Sequence, residues 1–135
     1  MTWSEWNPID APPLPFDALT RFNHSFFFSE KWITAQFNAS SSWVRRSFLA
    51  SAPQSAQDQL LRHEQYHLLL VGAIAAQAIT AMRSGGTPPR TAWQQYKDAV
   101  DRETKRYDKE TDHGRKRTAQ QVWESNIDNQ NVVFP

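Results

Sequence analysis

Leu60-Leu61-Arg62-His63-Glu64-Gln65-Tyr66-His67-Leu68-Leu69-Leu70-Val71 is the stretch on which the reading of this chain turns. Leu60, His63, His67, Val71, Ile74, Ala78 and Met82 recur at helical spacing, which makes it part of a long helix with both histidines on its core-facing stripe. Pro53 suits the first turn of that helix, and Ser84-Gly85-Gly86-Thr87-Pro88-Pro89 ends it. His63-Glu64-Gln65-Tyr66-His67 reads H-E-x-x-H. Residues four apart on a helix lie one above the other. Both imidazoles can therefore reach one zinc ion, each at about 2.0–2.1 Å. Glu64 can hydrogen-bond a water on that ion without ligating it, the position of a general base in metal-assisted hydrolysis. A buried histidine pair satisfied by carbonyls would look the same over five residues. The rest of the chain has to decide.

Upstream, residues 1–20 contain Pro8, Pro12, Pro13 and Pro15 and read as an extended, irregular lead-in. Arg21 to Ser29 and Trp32 to Ala39 read as two strands, joined by a hairpin turn at Ser29-Glu30-Lys31. In the second run Ile33, Ala35 and Phe37 share one face, and Trp32, Thr34 and Gln36 share the other, the pattern of a half-buried strand. Downstream, a second helix is expected from Thr91 to about Tyr107 and a shorter third from Ala119 to Ile127, with residues 128–135 as a tail. There is no internal repeat.

The 135 residues suit one domain with its own core, to which six tryptophans and eight phenylalanines contribute. A net charge of +1 gives no electrostatic case for a nucleic-acid partner. Arg115-Lys116-Arg117 follows several acids and reads as a solvated face. Met1-Thr2-Trp3-Ser4 lacks the basic and apolar regions of a signal peptide. The apolar run from Leu68 to Met82 is too short to span a bilayer, so a soluble chain with no membrane partner is expected. With no cysteine, metal ligands must be histidines or carboxylates.

A catalytic zinc site needs a third protein ligand and one open position. Of the two remaining histidines, His24 falls in the first strand and reads as a strand histidine. His113 lies in Tyr107-Asp108-Lys109-Glu110-Thr111-Asp112-His113-Gly114, where Gly114 suits a left-handed helix end. A helical hairpin turning at Gly85-Gly86 would return that segment to the metal. His113 is the expected third ligand. The alternative is a carboxylate, Glu110 or Asp112, with His113 then stabilising the transition state. Tyr107 is a candidate oxyanion donor, set against the packing role usual for a tyrosine near a helix end.

Leu60-Leu61-Arg62-His63-Glu64-Gln65-Tyr66-His67 followed by the Tyr107–Gly114 segment resembles the paired signature of the domain of unknown function 922 family, described as secreted bacterial zinc-dependent proteases. Gln120-Gln121-Val122-Trp123 is similar to the Q-x-x-W that follows in that family. Phe37 with Ser42-Trp43-Val44, and Trp3-Ser4-Glu5-Trp6 with its acid and aromatic altered, resemble the family's earlier elements. Where the family has Gly before the second histidine and Phe-Asp after it, this chain has Tyr66 and Leu68-Leu69. The aspartate that would orient an imidazole there is missing, and Asp108 is expected to take over that second-sphere task.

These readings together imply an α+β, zincin-like domain over residues 1–135, a small antiparallel N-terminal sheet or hairpin packed on a long active-site helix and two further helices. The expected function is zinc-dependent hydrolysis of peptide or protein substrates, with Zn2+ on His63, His67 and His113 and Glu64 as general base. An exposed edge in residues 32–38 is expected to pair with an extended substrate. Two other classes fit the same residues: a non-catalytic domain stabilised by a closed zinc site, and a zinc hydrolase of a non-peptide amide.

Overall fold

A computed structural model of the chain describes residues 1–10 and 14–135. Pro12 and Pro13, two of the four prolines of the expected lead-in, lie outside the described residues. The fold is α+β. Among the described residues, five short strands run β1 (Asn7–Ile9), β2 (Ala18–Leu19), β3 (Phe22–Phe27), β4 (Trp32–Phe37) and β5 (Trp43–Arg45). Four α-helices follow among the described residues, α1 (Arg46–Ser51), α2 (Gln54–Arg83), α3 (Pro89–Thr111) and α4 (Arg117–Asp128).

Helix α2 is the axis of the molecule. It begins directly after Pro53 and closes on the Thr80 carbonyl, which accepts from the Ser84 and Gly85 amides. Ile33, Leu70, Val71, Ile74, Ala78 and Met82 form the main core with Ala92, Tyr96 and Ala99 of α3 and with Trp123 and Ile127 of α4. By its full length and composition α2 is apolar enough to cross a membrane, whereas the run Leu68 to Met82 alone is too short. In this structure its apolar side is the centre of the fold. Buried positions on α3 (Ala92, Tyr96, Ala99, Glu103, Tyr107, Thr111) step by three or four, laying one face of α3 along α2. This helix starts two residues earlier than expected, because Pro89 occupies its first turn, where a missing N–H costs nothing.

β3 and β4 form the expected hairpin, with Phe26 opposite Ile33 and His24 opposite Ala35. Ile33 faces inward and is 2% exposed, as the alternation implies. The lead-in is more ordered than its prolines suggest. β1 pairs in parallel with β5, and β2 pairs antiparallel on the other side, so this second sheet is mixed. Trp6, Ala18 and Val44 make a small second core beneath it, against Phe48, Leu60 and Leu61. That sheet, rather than the hairpin alone, holds the chain around residue 20 over the H-E-x-x-H turns of α2.

Candidate metal centre

His63 and His67 project from one face of α2, their ring centroids 4.9 Å apart. The last turn of α3 meets them. Asp108 Oδ1 lies 2.8 Å from Nε2 of His63 and 2.8 Å from Nε2 of His67. Past the helix end, Asp112, His113 and Gly114 all take positive φ (48°, 54° and 87°), and the His113 amide donates back to the Asp108 carbonyl. That turn swings the His113 ring over the site, with Nδ1 3.7 Å from Asp108 Oδ1. Phe16 lies against the outer side of the ring, 4.3 Å between centroids.

The expectation that Asp108 orients an imidazole from behind is corrected by these contacts. A second-sphere partner binds the nitrogen turned away from the metal. Asp108 instead sits on both Nε2 atoms, the ones that face a common point. The orienting partner of His63 is Gln120 on α4, whose Oε1 is 2.9 Å from His63 Nδ1. Gln120 Nε2 donates to the Tyr107 hydroxyl at 2.7 Å and to Glu124 Oε2 at 3.0 Å, so its oxygen is the end turned to His63. His63 Nδ1 therefore donates to Gln120, and Nε2 is the nitrogen turned to the Asp108 carboxylate.

Tyr107 is likewise not where an oxyanion donor would be. It is fully buried, its ring stacks on His63 at 4.4 Å, and its hydroxyl donates to the His63 backbone carbonyl at 2.9 Å. Burial also pushes its pKa well above the usual phenol range. It buttresses the first histidine. Glu110 and Asp112, the expected alternative ligands, point elsewhere. Glu110 accepts from Arg106 and the Trp123 indole, and Asp112 pairs with Arg115. The carboxylate that joins the histidines is Asp108.

The donor set is chemically apt for a divalent cation. Ligand atoms of His63, Asp108 and His113 all lie within 4.8 Å of one another, as do those of His63, Glu64 and His67. Ligands about 2.0–2.1 Å from a tetrahedral ion stand about 3.4 Å apart. The contacts of Asp108 Oδ1, at 2.8, 2.8 and 3.7 Å, bracket that spacing. Burial would raise the Asp108 pKa, but hydrogen bonds from His63 and His67 outweigh it and hold the carboxyl far below its ordinary range. For His67, burial would lower the pKa, and the bond to Asp108 with the Asp108 and Glu64 charges raises it instead.

Glu64 is 2% exposed and therefore no surface acid. Its Oε2 accepts from the Thr20 hydroxyl, and Thr20 in turn accepts from the Trp6 indole N–H at 3.0 Å. Its other oxygen has no protein partner among the described residues, and Glu64 lines a cleft of about 260 Å³ beside His67, Asp108 and His113. Residues 18–22 and His24 form the facing strand wall. The sequence pointed to neither Trp6 nor Thr20 for a role at the site, and gave Gln120 none beyond its place in Q-x-x-W. For Gln120 that motif was the available signal; Thr20 had none.

Gly114 is fixed by two constraints. Its φ is +87°, and a Cβ there would stand 2.7 Å from the His63 Cβ. Gly114→Ala is expected to destabilise the protein by about 1–3 kcal/mol and to weaken metal binding, because relief of the clash displaces His63. Denaturant unfolding and a zinc titration of the variant check both effects.

No family model, curated protein or solved structure matches this chain.

Proposed function

We propose that this chain is a small zincin-like, zinc-dependent metallopeptidase, as the resemblance to the domain of unknown function 922 family implies. The observation that carries the reading is the state of Glu64: a buried carboxylate beside a cluster of metal-type donors, anchored by one oxygen, the other open to the cleft. A site built only to stabilise the fold has no use for such a group. Zinc held by His63 and His67, with Asp108, His113 or both, would supply a Lewis acid that lowers the pKa of water toward about 7 and polarises a carbonyl.

The protein's own groups do the rest. Glu64 Oε1 takes the proton of the attacking water and returns it to the departing amine. Thr20, itself held by Trp6, keeps the carboxylate turned so that this oxygen faces the cleft. Gln120 and Tyr107 fix the tautomer and position of His63. An extended peptide adds along residues 18–22, the strand wall of the cleft. The expected edge at 32–38 is replaced in this reading, because none of those residues lines the cleft.

The competing reading, a structural zinc domain, is favoured by one fact: His63, His67, Asp108 and His113 are enough donors to close a four-coordinate ion. Metal removal separates the two. Protein stripped with a chelator should lose hydrolysis of a panel of unstructured peptides and regain it with about one equivalent of zinc. A zinc-loaded protein that cleaves none of the panel would leave the structural reading standing.

A further inference from the structure

Tyr96 on α3 is fully buried, and among the described residues its hydroxyl has one polar partner, Nδ1 of His24 on β3 at 2.6 Å. A buried phenol keeps its proton, and burial pushes its pKa far up. The hydroxyl must place that proton on an acceptor, and the imidazole nitrogen is the acceptor present. His24 Nδ1 is thus unprotonated. A neutral ring then carries its hydrogen on Nε2, and partial burial, which lowers the His24 pKa, favours the neutral form. Its tautomer is set from inside the core while the residue itself stands at the surface.

That surface is the cleft. His24 lines it together with Glu64, His67 and Asp108. It also lines an adjoining hollow of about 280 Å³, and Val100 and Thr104 are common to both. An extended chain crossing from one hollow to the other passes the His24 ring. The side-chain hydroxyls around the cleft are engaged: that of Thr20 bonds Glu64, and that of Thr104 bonds the Val100 carbonyl. Arg21 brings a full charge suited to a carboxylate. A neutral N–H suits an amide carbonyl.

We infer that His24 is a substrate-binding residue, its Nε2–H donating a hydrogen bond to a main-chain carbonyl of a peptide lying across the cleft. The inference rests on the peptidase reading and deepens it. It also reassigns a histidine that the sequence presents as an ordinary strand residue.

Two variants test it, because asparagine places its amide near the Nδ1 position and glutamine near Nε2. His24→Asn keeps a partner for Tyr96 and loses the distal donor, so KM for a peptide long enough to span both hollows should rise about 3–15-fold with kcat little changed. His24→Gln should restore KM to within about threefold of the parent. Zinc content should be the same in all three proteins. Nitrogen-15 NMR of the metal-free parent should show the His24 proton on Nε2. A proton on Nδ1 overturns the inference, as does a His24→Asn enzyme with unaltered KM. A parent protein that binds zinc and cleaves no peptide overturns the peptidase reading and this inference with it. Cleavage by the parent with no separation of the two variants overturns the inference alone.

Discussion

Glu64→Gln should leave zinc content and folding unchanged while lowering peptide hydrolysis about 10²–10⁴-fold, the range for loss of a positioned general base. That corresponds to about 2.7–5.4 kcal/mol of transition-state stabilisation at 1.36 kcal/mol per decade. The structure makes the substitution clean. The Thr20 hydroxyl can donate to a glutamine oxygen as it does to Glu64 Oε2, and the amide group then replaces the open oxygen without its basicity. Metal analysis and turnover on the same preparation decide the matter. If Glu64→Gln lost zinc as thoroughly as His63→Ala, Glu64 would be a ligand, and the grouping of its oxygen with His63 and His67 would have to be read that way.

Asp108→Asn should weaken zinc binding more than 100-fold, beyond the 10–100-fold cost of an outer-sphere partner. The reason is positional: Oδ1 contacts Nε2 of both histidines, and the Nδ1 side of His63 is already taken by Gln120. His113→Ala should also bind less tightly. Glu110→Gln and Asp112→Asn should change little, since both carboxylates pair with arginines away from the site. Titration against a competing chelator ranks the four variants. Should Asp108→Asn cost less than about 100-fold and His113→Ala exceed it, the ligands are three histidines, and Asp108 returns to an orienting role.

What the sequence revealed of this fold follows from which signals are local. α2 was legible nearly to the residue because Pro53 and the Ser84–Pro89 segment punctuate it and its apolar spacing is unbroken. The β3–β4 hairpin was legible from alternation around Ile33 and Ala35. β1, β2 and β5 were not, since strands of two or three residues carry no period, and a parallel pairing such as Pro8 with Val44 is a long-range choice. Within the site, spacing alone placed His63, Glu64 and His67 together. The position of Asp108 between the two histidines was not legible. Whether a carboxylate meets the near or the far nitrogen of an imidazole depends on how α3 is rotated against α2. The same rotation decides between the two readings open for Tyr107, since its hydroxyl is turned inward to a backbone carbonyl, as a packing residue's would be.

The groups that would hold the ion come from two separate stretches of chain, His63 being 45 residues from Asp108. An ion bound there would be a cross-link, tying the middle of α2 to the end of α3 and closing a long loop in a chain that has no disulfide. Its binding free energy would then appear as resistance to unfolding, about 2.7 kcal/mol when free zinc stands at 100 times the dissociation constant. The melting temperature would rise with zinc concentration, and the same rise would be absent from a protein lacking Asp108. Starved of zinc, the molecule would lose robustness along with any activity, and the H-E-x-x-H helix would be among the first elements to feel it.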